Sequence, residues 1–138
     1  MTARLGWQVD PEHRDSAVLV QAWVDFLNGG SEEAMRRAHA VDFVDHDPHP
    51  SFAGTIDGVI NSTEMLRRDG LAVQFGLVDL FAVGDRIAYR VGAKGTQRNG
   101  AGISVEIFTL ANTGIFRVED GVLAERWGAW SYTQLGQS

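Results

Sequence analysis

The sequence predicts a single α+β domain in which helices cover one face of a curved antiparallel sheet. Three observations predict it. Apolar residues recur at helical spacing through the first half, whereas from Val73 onward they fall into long extended runs. Two tight-turn signals, Gly84–Asp85 and Glu119–Gly121, divide those runs. Helices followed by a strand meander is the α+β order. With 138 residues and no repeat, linker or low-complexity stretch, residues 1–138 read as one domain, of which 1–14 form a loose N-terminal arm.

The elements follow in order. Asp15 or Ser16 caps a first helix running to about Leu27, with Val20, Trp23, Phe26 and Leu27 on its apolar side and Gly29–Gly30 as its stop. Ser31 caps a short second helix, and Glu32 and Glu33 sit where the helix dipole favours acids. An extended piece, Val41 to His46, ends at Pro48 and Pro50. A third helix spans Asp57 to Arg68 and stops at Asp69–Gly70. Val73–Val83 and Arg86–Thr96 form a hairpin. Ile103–Val118 is long for one strand, which predicts a bulge or bend near Ala111 to Gly114. Val122–Thr133 closes the chain.

Hydrophobic residues make up 44% and charged residues 22%, an ordinary globular mixture. The net charge of −6 and scattered Lys and Arg argue against nucleic-acid binding. No Cys is present, which excludes disulfides and thiolate chemistry. No apolar run approaches membrane length and no signal peptide is read, so the expectation is a cytoplasmic protein with no membrane partner. Neither a GxGxxG pattern nor a phosphate loop occurs, so no cofactor is expected.

The segments Phe43-Val44-Asp45-His46-Asp47-Pro48, Gly84-Asp85-Arg86-Ile87, Gly95–Thr96, Phe116-Arg117-Val118-Glu119-Asp120-Gly121, Ala124–Glu125, Trp127 and Gln134-Leu135-Gly136 come in a telling order. From about Val18 to Gly136 the chain resembles the SnoaL-like polyketide cyclases of the nuclear transport factor 2-like superfamily. The resemblance implies a cone: a curved sheet wrapped around the N-terminal helices, enclosing one deep apolar pocket. It also implies an apolar small-molecule substrate and a homodimer or higher homo-oligomer. Cyclisation or isomerisation of a polyketide-like carbonyl or polyene compound is the implied reaction. An epoxide-hydrolase-like activity, and a non-catalytic binding or dimerisation module, are the alternatives on this superfamily fold.

In the family the base is an Asp four residues after the Trp, and a supporting His follows a Gly-Thr pair. Here those places hold Ser131 and Gln97, which can hydrogen-bond but cannot run that acid–base cycle. Asp47, immediately before Pro48, matches the base of isomerase-like and epoxide-hydrolase-like relatives. Asp47 and His46 are therefore the catalytic candidates, or else a loop network that fixes the strand. His46, Asp47 and His49 lie too close along a Pro-bounded loop to converge on an ion, so no metal is expected. Trp23, Phe26, Asn28, Phe75, Gln97, Phe108, Trp127 and Ser131 are the candidate substrate contacts, with packing and helix capping as their structural readings. The final strand is expected to turn Trp127 and Ser131 inward, leaving Trp130 and Tyr132 for a subunit interface or a helix contact. Arg117 and Glu125 are placed to pair across two strands.

Overall fold

The computed structural model describes residues 13–68 and 72–136. The arm expected at the N-terminus, up to residue 12, and the Asp69–Gly70 stop lie outside them. Three helices, α1 (Arg14–Leu27), α2 (Glu32–Arg37) and α3 (Ile56–Arg68), accompany five strands. The strands are β1 (His39–Asp45), β2 (Ala72–Val83), β3 (Arg86–Arg98), β4 (Ser104–Glu119) and β5 (Val122–Gln134). They form one open sheet in the order β1-β5-β4-β3-β2, antiparallel except for β1, which runs parallel to β5. Among the described residues no helix is long and apolar enough to cross a membrane.

Local chemistry sets the element ends. The Ser31 hydroxyl accepts from the Ala34 amide at 3.0 Å, giving α2 the cap its sequence predicts. Asp120 and Gly121, with φ of 54° and 81°, form the tight turn joining β4 to β5. Alternation then decides the faces. Ile87, Tyr89 and Val91 of β3 and Phe116 of β4 turn inward onto Val20, Trp23 and Val24 of α1 and Ile60 of α3.

The bulge expected near Ala111 to Gly114 is not there. Pairing runs unbroken from Phe108 to Arg117, and the ladder shifts instead beside Ile107 and beside Ala124. Gly114 lies opposite Gly128, and a Cβ on it would stand 2.7 Å from the Tyr89 hydroxyl. Two facing glycines thus make room for inward polar side chains without breaking the ladder.

Asn28 settles how α1 meets the sheet. β2 is an edge strand, so its outer backbone groups lack a strand partner. The Asn28 amide donates to the Phe75 carbonyl at 2.9 Å and accepts from the Phe75 N–H at 2.7 Å. One side chain therefore stands in for a neighbouring strand at that rung. Its φ of −89° is ordinary, and the left-handed residue after the helix is Gly29 at 97°. Both polar ends of Asn28 are thus engaged by the Phe75 backbone, with one amide N–H left over.

We expect Asn28→Ala to cost about 1–2 kcal/mol, because two backbone groups lose their partner. That corresponds to a fall in melting temperature of roughly 4–8 °C. An unchanged melt would show that the Phe75 backbone is held by something else.

Candidate functional site

Inside the sheet the packing leaves a cavity of about 440 Å3, within the size range of small-molecule sites. Trp23 and Leu27 of α1, Phe43 of β1, Met65 and Leu66 of α3, and Phe75, Phe116 and Trp130 of the sheet make its wall apolar. Among its polar wall groups are His39 and Asp45 on β1, His49 in the following loop, Ser62 and Thr63 on α3, and Arg126 on β5. Ser62 and Thr63 both donate to the Val59 carbonyl, at 3.0 and 2.9 Å, so their hydroxyl protons are already used.

Arg126 is the hub. Its Nη2 donates to the Asp45 carboxylate at 3.0 and 3.1 Å and to the Asp47 carbonyl at 3.0 Å. Its Nη1 donates to the Tyr89 hydroxyl at 2.9 Å and to Asn112 Oδ1 at 3.2 Å. Tyr89 in turn donates to the same Asn112 oxygen. Arg126 is 5% and Asp45 6% exposed, so the ion pair is largely buried where it meets the cavity. Burial works against the Arg126 charge, yet facing Tyr89 and Asp45 holds its pKa above the ordinary value. Burial pushes the Tyr89 phenol upward, against the opposing pull of Arg126, so it remains a neutral donor. A Cβ on Gly128 would lie 2.4 Å from Arg126 Nη1, so only glycine lets the guanidinium settle there.

This commitment reverses the expected face of β5. Because Arg126 is the residue that must reach Asp45, alternation turns Gly128, Trp130 and Tyr132 inward and sends Trp127 and Ser131 outward. Trp130 lines the cavity and Tyr132 rests 5.4 Å from Phe108; both share the inner face of the sheet, where they stay 45% and 58% exposed. Trp127 stacks on His46 at 4.8 Å, with the Arg86 guanidinium 5.1 Å from its ring. Ser131 and Gln97 are exposed and outside the wall.

The two catalytic candidates also lie outside the wall. Asp47 is exposed; its Oδ2 accepts from the Gly128 N–H at 2.9 Å, and its own N–H donates to Asp45 Oδ1 at 3.0 Å. His46 Nε2 meets Glu125 Oε2 at 2.7 Å on the outer side, where Arg117 holds the other Glu125 oxygen. His46 and then Arg117 draw the Glu125 carboxyl below its ordinary value. The Arg117–Glu125 pair is thus formed as its sequence positions predict. Trp23 and Phe75 do line the cavity. Phe26 instead packs in the core with the Arg67 guanidinium 4.8 Å from its ring, and Phe108 lies over Gly95, where a Cβ would meet the ring.

Sequence reasoning passed over His39, Asp45 and Arg126. The spacing of Phe43 and Asp45 could have placed both on the inner side of β1. Nothing local marks Arg126, because its role depends on a partner 81 residues away.

The sequence pattern of the SnoaL-like polyketide cyclases matches residues 17–138. Among solved structures, the chain is similar to TsrD from Streptomyces laurentii, with a TM-score of 0.68 at 19% identity over 89% of this chain and 91% of that one. It is similar to a candidate polyketide cyclase from Bacillus cereus, with a TM-score of 0.69 at 20% identity over 94% and 87% of the two chains. IdmH from Streptomyces antibioticus aligns with a TM-score of 0.64 at 24% identity over 86% and 92%. At such identities the likeness is one of fold. No curated protein matches the sequence.

Burial holds the His39 imidazole at about 4, below its ordinary 6.5, against the raising effect of the Met35 carbonyl and Asp45. The unfolded chain therefore binds more protons than the folded one between those values, and stability falls as pH drops through that window. From this group alone the loss approaches about 1.4 kcal/mol per pH unit in the middle of the window. Melts at pH 7 and pH 5 should show a smaller acid loss for His39→Asn than for the wild type. Equal losses would mean that His39 takes up its proton without cost in the fold.

Proposed function

The chain belongs to the SnoaL-like polyketide cyclase family, and from that premise we propose that it acts on a neutral, polyketide-like carbonyl compound, which the cavity folds for cyclisation or isomerisation. The observation that carries this reading is a largely aromatic and aliphatic wall in which, among the described residues, the arginine and the carboxylate pair with each other, Arg126–Asp45. An apolar wall rejects charged ligands, whereas a neutral chain loses little on leaving water. The guanidinium is fixed by its partners before ligand arrives, so its field is already in place for charge developing on a carbonyl oxygen. Holding two ends of a flexible chain together supplies a further share of the rate. With Asp47 tied to Gly128 outside the wall, this folding role fits the site better than proton abstraction by that carboxylate.

One observation favours a second reading, a ligand-binding module without turnover. Asp45 is the only carboxylate among the described residues of the wall, and a cation holds it. The two readings separate in one experiment. The protein is incubated with linear polyketide intermediates, following tryptophan quenching through Trp23 and Trp130 and product by chromatography with mass detection. We expect saturable quenching together with an isomeric, ring-closed product. Leu110→Trp, which fills the cavity, should weaken quenching at least about tenfold while the fold persists. Quenching with no product from any substrate would leave the binding module. Quenching untouched by Leu110→Trp would place the ligand elsewhere.

We also assign self-association to the outer face of the sheet. One rung there reads Phe81, Ala88, Ile115 and Trp127 across four strands, with Phe81 57% and Ile115 43% exposed. Adjacent exposed apolar groups of this kind suit burial against a second copy. Light scattering should give a dimer mass for the wild type and a monomer mass for Phe81→Glu. A monomeric wild type would sink the assignment.

A further inference from the structure

His39 sits at the start of β1, 6% exposed, with its ring in the cavity wall. Its Nδ1 lies 2.7 Å from the Met35 carbonyl, which can only accept, so that nitrogen carries the ring proton. A neutral imidazole has one N–H, which leaves Nε2 a bare acceptor. No described residue donates to it. Phe43 and Phe116 pack against the ring at steep angles, with centroids 4.7 and 6.4 Å away, which limits its rotation. His39 lines the cavity, so a donor for that nitrogen is one that a ligand seated there can bring.

We propose that His39 Nε2 accepts a hydrogen bond from a hydroxyl of the bound ligand, which makes the ligand class an apolar carbonyl compound that also bears a phenol or enol. This rests on the cavity reading above and sharpens it. Arg126 offers the field of its cation and His39 an acceptor, from β5 and β1 of the same wall. A compound carrying both a carbonyl oxygen and a hydroxyl proton can satisfy the two, whereas a simple ketone leaves His39 unpaired. The desolvated ring stays unprotonated at neutral pH, so it selects for a donor without adding charge.

The test uses 1-naphthol, 1-methoxynaphthalene and naphthalene as probes, with affinity read by tryptophan quenching. Wild type should bind 1-naphthol about five- to tenfold more tightly than the methyl ether, the range of one neutral hydrogen bond. His39→Asn keeps a donor for the Met35 carbonyl and removes Nε2, and should abolish that preference. His39→Gln, which restores an acceptor further out, should recover part of it. A readout free of variants comes from wild type labelled with 15N-histidine. The Nε2 resonance of His39 should move on adding 1-naphthol and stay still with the ether. Equal binding of phenol and ether, or a stationary resonance under saturating 1-naphthol, would overturn the proposal while leaving the cavity reading intact. Failure of all three probes to bind would overturn the cavity reading and this proposal with it.

Discussion

The buried contact between Arg126 and Asp45 is the constraint on which the rest of the molecule depends. It joins β1, the parallel edge strand, to β5 across 81 positions of chain, and both partners are removed from water. Such a pair adds little net stability compared with apolar residues of the same volume. Removing one partner, however, would strand a charge at a cost of about 3–5 kcal/mol. Its main effect is to choose. A one-residue slip of β5 would carry Arg126 to the outer face and leave Asp45 alone inside, so the pair fixes the register that alternation by itself leaves open. Gly114 and Gly128 are consequences of that choice, because the space their missing Cβ atoms leave is taken by the Tyr89 hydroxyl and the guanidinium.

Three consecutive residues act together on the same strand. Asp45 takes Arg126 from inside, and His46 takes Glu125 from outside while its ring covers Trp127. Asp47 reaches past them to the Gly128 N–H, and the His46 N–H adds a 2.9 Å bond to the Arg126 carbonyl. The Asp-His-Asp run before Pro48 is therefore a clasp that grips β5 on both faces. Asp47, at its tip, is part of that grip. Its carboxylate oxygen is engaged by a backbone amide, and movement toward the cavity would undo the grip that shapes the cavity wall. The polar groups that do face the cavity include Arg126, His39 and His49.

The elements themselves were legible in the sequence because their causes are local. Ser31 before two acids makes a cap, Asp120–Gly121 makes a turn, and Val20, Trp23 and Leu27 mark a helix face whatever surrounds them. The family resemblance added the cone and its cavity, which periodicity could not supply. What stayed hidden were features decided by distant partners. Asn28 caps the end of α1 as its position reads, but its second task shows only once β2 is seen to be an edge whose Phe75 backbone needs a partner. Trp127 and Ser131 read as inward when the final strand is aligned by motif, and only the demand of Asp45 for Arg126 shows the opposite parity. His39 carries no motif; its tautomer follows from a carbonyl four residues back in the chain, and its placement in the wall from strand pairing.

The polar interior also explains why a cavity survives here. An apolar space between helices and sheet would normally be closed by larger side chains or by collapse, since packing loses contacts wherever a void remains. The wall at Arg126 cannot move inward, because every shift of β5 stretches hydrogen bonds to Asp45, Tyr89, Asn112 and the Asp47 carbonyl together. The opposite side is held by Asn28 on the β2 edge. With both ends of the sheet anchored, α3 spans the gap between them, and Ser62 and Thr63 face the space with hydroxyls turned back onto Val59. Asn112 Nδ2, buried without a partner, is the local cost of building the hub. Rigidity bought with polar contacts on one side is what lets the other side remain open to a ligand.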